Sequence, residues 1–231
     1  MTLPEPYYER DGITIYCADC RDVLPLLETG SVDLVLTDPP YNAINRDTGG
    51  LRTIDKGSAD SLPVDVAAMA IEFTRLSNSS IYVWCSDEQY TDWVMAFKGD
   101  GLTTRKCAWW KSDPSPMNGE HMWLSAIELC VFARKSGAYF GLHCEPPVWK
   151  GPIERNVDHP TPKPEWLMRR LIQASSQSND LIVDPYMGSG TTLRSALDLG
   201  RRAIGIDIDE RNCATAVKRL QQSVMRLEVP A

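Results

Sequence analysis

Residues 181–207 read LIVDPYMGSGTTLRSALDLGRRAIGID and hold the strongest fold signal in the chain. A short apolar run, a turn with two glycines, an amphipathic segment and a second apolar run ending in an acid follow one another. Glycines allow a tight turn from a strand into a helix, and the apolar runs are typical of strands buried on both faces of a parallel sheet. The stretch predicts a strand over 181–183, a helix over 191–199 and a strand over 202–206.

Apolar runs and amphipathic segments alternate along most of the remaining chain. Residues 32–37 predict another buried parallel strand, residues 103–110 and 127–133 are typical of an antiparallel pair, and residues 136–163 are irregular. This pattern predicts an α/β fold: an open, doubly wound, mostly parallel sheet of seven strands with one antiparallel edge strand. The other predicted strands cover 12–17 and 80–85, and the other helices cover 19–27, 63–76, 87–98, 164–175 and 210–226.

The length of 231 residues and the 43% share of hydrophobic residues suit one substantial core. We predict a single domain over residues 1–231, with small insertions near 43–62 and 137–158. The first residues lack the pattern of an export signal, and no apolar run is long enough to span a bilayer. A soluble, cytoplasmic protein without membrane contact is therefore expected.

The chain has seven cysteines, an odd number, and most of them stand in apolar, strand-like contexts. This usage predicts reduced thiols rather than disulfides. Cys17 and Cys20 have the spacing of half a zinc site, but no second Cys or His pair at ligand spacing completes it. We therefore expect no bound metal.

The net charge of −7 is distributed unevenly. Residues 1–97 carry 6 basic and 16 acidic side chains, whereas residues 98–170 carry 11 basic and 8 acidic ones. Contacts to a polyanion should therefore come mostly from the middle third of the chain. An ordinary solvated surface is the alternative for each of its basic candidates, which are Arg105, Lys106, Lys111, Arg134, Lys135, Lys150 and Arg155.

The tetrapeptide Asp38-Pro39-Pro40-Tyr41 directly follows the predicted strand at 32–37. The Asp38 carboxylate and the Pro39 carbonyl offer two hydrogen-bond acceptors, and consecutive prolines restrict the backbone and remove two amide donors. Two acceptors and the flat face of Tyr41 suit a planar ring with an amino group, such as a base extruded from nucleic acid. The alternative is an ordinary turn that ends the strand.

Residues 184–192 form a glycine-containing turn, where the backbone can approach a ligand closely. A phosphate-binding P-loop needs a lysine after Gly190, and a dinucleotide fingerprint needs a small residue where this chain has Leu193. The next strand ends in Asp207, whose carboxylate suits ribose hydroxyls. The combination favours an adenosyl ligand without a pyrophosphate.

These segments resemble the S-adenosylmethionine-dependent DNA methyltransferases that methylate exocyclic amino groups. The resemblance rests on residues 38–41, the turn 184–192, residues 204–207 (Ile-Gly-Ile-Asp) and residues 159–164 (His-Pro-Thr-Pro-Lys-Pro), and it runs over nearly the whole chain. The tetrapeptide precedes the glycine turn, which is the circularly permuted motif order of the group usually called beta. The resemblance implies a Rossmann-like methyltransferase fold and S-adenosylmethionine as cofactor.

The resemblance also implies a set of cofactor-binding residues. In it the turn 184–192 holds the methionine part, Asp207 binds the ribose and Asp19 contacts the adenine, although a plain helix N-cap is the alternative for Asp19. Residues 159–163 enclose the methionine end, with Pro162 where family members often have glutamine. The implied set is Asp19, Cys20, Asp38, His159, Thr161, Lys163, Asp184, Tyr186, Gly188, Ser189, Gly190, Thr191 and Asp207.

By the same resemblance, Asp38, Pro39, Pro40 and Tyr41 are the catalytic residues. Asp38 and the Pro39 carbonyl hold the target amine, Tyr41 stacks on the flipped base, and the amine attacks the methyl group in line. Asp38 acts by positioning and electrostatic stabilisation, because the nitrogen becomes acidic only as it gains the methyl group. In the resembling enzymes an initial aspartate goes with adenine, so we expect site-specific methylation of adenine N6.

Three other functions remain open. Cytosine N4 presents a similar amine, and in the resembling enzymes serine at the first position goes more often with cytosine. A catalytically silent, DNA-binding relative would retain only the fold, against which the intact Asp38, Tyr41, Gly188 and Gly190 argue. Enzymes that methylate RNA or protein glutamine more often begin the tetrapeptide with asparagine, and the permuted order disfavours them.

The expected substrate is double-stranded DNA with one base flipped out, in a bacterial or phage restriction-modification setting. Only the stretches near 43–62 and 137–158 remain for reading sequence, so we expect a short or loosely read target. A homodimer is an expected assembly, since related enzymes often dimerise. Trp149, Lys150 and Arg155 could contact DNA, and packing is the alternative for Trp149.

Overall fold

A computed structural model describes residues 2–41, 64–114, 123–154 and 163–222. Within these ranges nine strands form one sheet. In chain order they are β1 Tyr8–Arg10, β2 Ile13–Cys17, β3 Val32–Thr37, β4 Ser77–Cys85, β5 Thr103–Lys111, β6 Ile127–Arg134, β7 Val148–Gly151, β8 Leu181–Asp184 and β9 Arg202–Asp207. Their spatial order is β1-β2-β9-β8-β3-β4-β6-β5-β7.

The helices of the described part connect these strands and cover both faces of the sheet. They are α1 Cys20–Val23, α2 Val66–Leu76, α3 Asp87–Gly99, α4 Glu165–Ser175, α5 Thr191–Asp198 and α6 Glu210–Gln221, with a short 3-10 helix at Leu24–Leu26. Asp65 and Ser86 begin α2 and α3, because each side chain accepts a hydrogen bond from a backbone N–H of the first turn.

The strand directions confirm the predicted fold class. Strands β2, β9, β8, β3 and β4 are mutually parallel neighbours. The predicted antiparallel pair is confirmed as β5 and β6, and β6 also runs antiparallel to β4. The predicted count of seven strands was wrong, because β1 and β7 add a short strand at each edge. Strand β7 lies in a stretch predicted to be irregular.

Two hydrophobic cores lie on opposite faces of the sheet. One contains Phe73 of α2 and Trp93 of α3, and the other contains Leu171 of α4 and Leu193 of α5. Strand β3 contributes to both, because successive side chains of a strand point to opposite faces. Its alternating residues Leu34 and Leu36 join the second core and Val35 the first. A strand covered on both faces accounts for its near-continuous apolar sequence.

The connections make a topological switch point between β3 and β8. Strand β3 leads to α2 on one face, whereas its neighbour β8 leads to α5 on the other face. At such a switch point the loops that leave the carboxyl ends diverge and open a crevice, where ligands bind in open α/β sheets. The residues that follow β3 and β8 are those predicted to bind ligands.

No helix among the described residues combines the length and apolarity needed to cross a membrane.

Candidate active site

Two predicted site segments, far apart in sequence, meet at the carboxyl ends of β3 and β8. These strands are parallel neighbours, with Val35 opposite Val183. The hydroxyl of Thr37, the last residue of β3, donates a 2.8 Å hydrogen bond to Oδ1 of Asp184, the last residue of β8. This buried bond joins residues 147 positions apart. The tetrapeptide 38–41 and the glycine turn therefore form one site.

The tetrapeptide is held by its own side chains and by helix α3. The Tyr41 hydroxyl donates a 2.9 Å hydrogen bond to Asp38 Oδ1. Burial, followed by the nearby Asp38 carboxylate, raises the pKa of Tyr41 well above its ordinary value, so the hydroxyl stays protonated. Gln89 of α3 donates from Nε2 to the Pro40 carbonyl at 3.3 Å. The sequence offered no signal for Gln89 beyond its place in the first turn of a helix.

Lys163 lies beside Asp38. Its ammonium group donates a hydrogen bond to Asp38 Oδ2 and another, at 3.3 Å, to the Tyr41 hydroxyl. It also forms a 3.1 Å ion pair with Glu128 Oε2. The structure brings Lys163 to the tetrapeptide, and the contact at the methionine end of a cofactor that the resemblance implied stays a prediction.

Glu128 and Lys111 extend this charged cluster away from the tetrapeptide. Lys111 Nζ, at the end of β5, lies 2.6 Å from Glu128 Oε1 on β6. Burial acts to raise the pKa of Glu128, but the ammonium groups of Lys163 and Lys111 outweigh it and lower the pKa below its ordinary value. Glu128 was not predicted as a site residue, although an acid within an apolar strand was a usable signal.

The glycine turn after β8 depends on two glycines with positive φ, Gly188 at 50° and Gly190 at 78°. A Cβ atom at Gly190 would lie 2.7 Å from the Cβ of Ala216 on α6. Such a contact is too close for any side chain, and a positive φ already disfavours one. Glycine at 190 therefore permits both the turn and the close packing of α5 against α6.

Asp184 anchors the start of this turn inside the protein. Besides the Thr37 hydroxyl, its Oδ1 accepts the backbone N–H of Tyr186 at 3.2 Å. Burial raises the pKa of Asp184 to about 7, against the opposing effect of its hydrogen bonds from Thr192, Thr37 and Tyr186. The charge of this carboxylate therefore changes near neutral pH.

Asp207, at the end of β9, fixes the far side of the turn. Its carboxylate accepts the N–H of Gly188 at 3.0 Å, the N–H of Asp209 at 2.8 Å and the Asn212 amide at 3.1 and 3.2 Å. Burial raises its pKa to about 6. Each oxygen already accepts two contacts, the usual capacity of a carboxylate. A ribose hydroxyl would have to share or replace one of these donors.

Asp19 and Cys20 follow β2 at the same edge of the sheet, where the N–H of Ala18 bonds to the Asp207 carbonyl at 3.0 Å. Asp19 is the N-cap of α1 and accepts the Arg21 N–H at 2.9 Å. Hydrogen bonds from the Arg21 side chain lower the pKa of Asp19. The cap interpretation of Asp19 is thus confirmed, and the adenine contact stays a prediction. Cys20 is buried, which raises the pKa of its thiol to about 11.

Arg219 of α6 donates hydrogen bonds to side chains of the glycine turn. The sequence around Arg219 did not indicate this role. Its guanidinium donates to Thr191 Oγ1 at 3.0 Å and to Ser189 Oγ at 3.4 Å. It also pairs with Glu154 at 3.0 Å and with Glu165 of α4 at 2.8 Å. These contacts connect the predicted cofactor turn to the two ends of the stretch 154–165.

Several predicted residues lie outside the described ranges. They are His159, Thr161 and Arg155, together with the proposed insertion near 43–62 and the last part of that near 137–158.

The basic residues of the middle third that were candidates for DNA contact differ in their exposure and in their contacts within the protein. Arg105, Lys106 and Lys150 are exposed. Lys111, in contrast, forms an ion pair with Glu128, and Arg134 donates a hydrogen bond to the Ala138 carbonyl at 2.6 Å. Trp149 is half-buried and packs edge-on against Trp84. The packing interpretation of Trp149 is confirmed.

All seven cysteines lie in the described ranges and are free thiols. Among the described residues no three His, Cys, Asp or Glu side chains are grouped to hold a metal ion.

Comparison with protein families gives one match, and comparison with curated proteins gives full-length relatives. The family model described as DNA methylase (N6_N4_Mtase) matches residues 145–218. The chain is 30% identical to the Type II methyltransferase M2.LlaDCHI of Lactococcus lactis subsp. cremoris, over 96% of this chain and 94% of the relative. It is 28% identical to the Type II methyltransferase M2.DpnII of Streptococcus pneumoniae, with the same coverage.

Solved structures share the fold at lower sequence identity. The M1.HpyAVI–SAM complex superimposes with a TM-score of 0.71 and 24% identity, covering 90% of this chain and 100% of that one. The PvuII DNA methyltransferase (cytosine-N4-specific) gives a TM-score of 0.74 at 17% identity, covering 95% of this chain and 90% of that one. The predicted Rossmann-like methyltransferase fold is confirmed.

Proposed function

Since the chain belongs to the S-adenosylmethionine-dependent DNA amino-methyltransferases, we propose that it methylates the exocyclic N6 of adenine at specific sites in DNA. The observation that carries this proposal is the joint position of Asp38 and Asp184. The Thr37 hydroxyl, adjacent to Asp38, bonds to Asp184 at the start of the glycine turn. Asp38, which would bind the target amine, thus lies next to a turn suited to an adenosyl ligand.

The residues at the strand ends fit S-adenosylmethionine. Buried carboxylates at Asp184 and Asp207 suit a ligand that carries hydroxyls and positive charge, and the turn through Gly188 and Gly190 lets the backbone approach it. The cofactor supplies a methyl group on a positively charged sulfur. We propose that it is held by Asp19, Cys20, Asp38, His159, Thr161, Lys163, Asp184, Tyr186, Gly188, Ser189, Gly190, Thr191 and Asp207.

On the substrate side, Asp38 and the Pro39 carbonyl would accept the two hydrogens of the target amine, and Tyr41 would stack on the base. The nitrogen would attack the methyl carbon in line, so that an N–C bond would form while the S–C bond would break and leave its electron pair on sulfur. The nitrogen then loses a proton to the surrounding water. Orienting the amine and stabilising its growing positive charge is the work we assign to Asp38.

Extrusion of the target base is part of the proposal. An amine that is paired within a duplex cannot reach the half-buried Asp38 at a strand end, so the base must leave the stack. The exposed Arg105, Lys106 and Lys150 would contact phosphates, where cationic side chains contribute most of the salt-dependent affinity. A homodimer would enlarge the recognition surface beyond the two short insertions.

Adenine rather than cytosine is proposed because Asp38 opens the tetrapeptide, as in the adenine-specific enzymes that it resembles. The fold gives no preference, since a cytosine-N4-specific enzyme shares it.

Nucleoside analysis tests the choice of base. Unmethylated DNA is incubated with the protein and S-adenosylmethionine, digested and analysed by mass spectrometry. We expect N6-methyladenine. N4-methylcytosine without N6-methyladenine would reject the base assignment, and the absence of any methylated base would reject the activity.

A further inference from the structure

Four charged side chains form a line that ends at the tetrapeptide. Lys111 pairs with Glu128 at 2.6 Å, Glu128 with Lys163 at 3.1 Å, and Lys163 with Asp38. Positive and negative groups alternate along the line, so its four charges sum to zero. The four residues come from separate segments, at the ends of β5 and β3, within β6, and before α4.

The position of Lys163 is set by carboxylates on two sides. Its side chain is only 7% exposed, and a buried ammonium is costly unless it is paired. Two of its N–H groups are used by Asp38 and Tyr41, and Glu128 Oε2 lies 3.1 Å away as an ion-pair partner. Burial acts to lower the pKa of Lys163, but the two carboxylates outweigh it and raise the pKa above its ordinary value. The ammonium therefore stays charged through neutral and mildly alkaline pH.

In this arrangement the two carboxylate oxygens of Asp38 have different partners. Lys163 takes Oδ2, while the Tyr41 hydroxyl donates to Oδ1 at 2.9 Å. An amine hydrogen of the target base that bonds to Oδ1 would take the place of this hydroxyl hydrogen. The Tyr41 hydroxyl also accepts a 3.3 Å hydrogen bond from Lys163, but as a neutral group it is easier to displace than an ammonium that pairs with two carboxylates. Oδ1 is therefore the oxygen open to exchange.

We propose that Glu128, anchored by Lys111, is a positioning residue that holds Lys163 on Oδ2 of Asp38 and so reserves Oδ1 for the target amine. This inference rests on the proposed function. Without Glu128, the ammonium group of Lys163 would have Asp38 as its one remaining carboxylate partner and would move fully onto it. Both oxygens of Asp38 would then be engaged, and the amine would lose its acceptor.

The test is Glu128→Gln, which keeps the shape of the side chain and removes its charge. Single-turnover transfer of tritiated methyl to unmethylated DNA is measured with saturating cofactor and DNA. We expect the rate to fall by about 10- to 100-fold, the usual effect of misplacing a reacting group, with cofactor affinity in equilibrium dialysis unchanged within about twofold. Glu72→Gln is the matched control, because its partly buried ion pair with Arg75 lies within α2 and away from the site, and its rate should match the wild type.

A pH series separates positioning from a general structural role. In the variant, Lys163 keeps its burial but loses one of the two carboxylates that raise its pKa. As the pH rises, Lys163 of the variant should therefore lose its proton at a lower pH than Lys163 of the wild type, release Asp38 and so raise the ratio of variant to wild-type rate. A merely structural role predicts a constant ratio.

A double variant, Lys111→Gln with Glu128→Gln, restores the charge balance of the cluster and decides the matter if the single variant is unstable. We expect recovered stability with the rate still low. An equal rate in Glu128→Gln and wild type, or full recovery of rate in the double variant, would overturn the inference. Failure of the wild type itself to label DNA would instead overturn the proposed function.

Discussion

Asp184 is the residue whose buried charge most depends on pH in the physiological range. Burial raises its pKa from 3.8 to about 7, so the folded state binds this proton more tightly than the unfolded state does. Such a group stabilises the fold fully below the unfolded pKa, and the contribution is lost as the pH rises through the folded pKa. The anchor of the glycine turn should therefore weaken between about pH 4 and pH 7.

Asp184→Asn tests this dependence, because the amide oxygen can still accept the Thr37 and Tyr186 hydrogen bonds but cannot ionise. The free energy of unfolding is measured in urea at pH 5, 6, 7 and 8 for both proteins. The wild type should lose stability relative to the variant as the pH rises, by at most roughly 4 kcal/mol. The titration of Asp207 is common to both proteins and cancels. A difference that does not change with pH would contradict the account.

At the scale of elements, the close packing of α5 against α6 depends on the absence of a side chain at Gly190. Gly190 has a φ of +78°, and an added Cβ would meet Ala216 at 2.7 Å. Gly101 has a similar φ of +81° but no atom within 4 Å of an added Cβ. The pair therefore separates backbone strain from steric overlap.

Gly101→Ala should cost about 1–2 kcal/mol of stability, from the left-handed backbone alone. Gly190→Ala should cost about 1–3 kcal/mol more, because α6 must move to admit the methyl group. Only Gly190→Ala should also weaken cofactor binding. Chemical denaturation and equilibrium dialysis give the two quantities. Equal destabilisation, or full cofactor affinity in Gly190→Ala, would show that the contact with α6 does not shape the turn.

The elements differ in how far the sequence predicts them. The apolar runs of β3 and β8 and the glycines after β8 identify a buried strand and its turn locally, because burial on both faces leaves no polar alternation. Strands β1 and β7 have three and four residues, too few for a periodicity to be recognised, and they form only because an edge of the sheet is available to pair with.

The residues of the candidate site also differ in how far the sequence predicts them. Asp38, Tyr41 and the glycine turn stand in recognisable segments, and their meeting follows from the rule for strand ends in parallel sheets. The contacts of Lys163, Glu128 and Gln89 could not be predicted, because they depend on strand register and on three-dimensional packing between distant segments. Lys163 lies against Asp38, and its place near the cofactor stays a prediction.

For the whole molecule, the order of the strands makes the two halves of the chain interdependent. Strand β3 from the first half pairs with β8 from the second, and β2 pairs with β9. We therefore propose that the chain unfolds as one domain. Buried tryptophans report on both faces of the sheet, Trp93 in one core and Trp84 and Trp109 in the other.

Urea unfolding followed by tryptophan fluorescence and by far-ultraviolet circular dichroism should give a single transition with the same midpoint. Two separated transitions would show that the halves fold independently and would refute the single-domain proposal.

The central claim is that the protein transfers a methyl group to DNA. In this claim Asp38 positions the target amine, and the glycine turn binds the cofactor beside it. The most direct test compares the wild type with Asp38→Ala, by transfer of tritiated methyl from S-adenosylmethionine to unmethylated DNA and by cofactor binding in equilibrium dialysis. We predict that the wild type labels DNA and that Asp38→Ala loses at least about 100-fold in rate while it still binds the cofactor. Undiminished labelling of DNA by Asp38→Ala would contradict the claim.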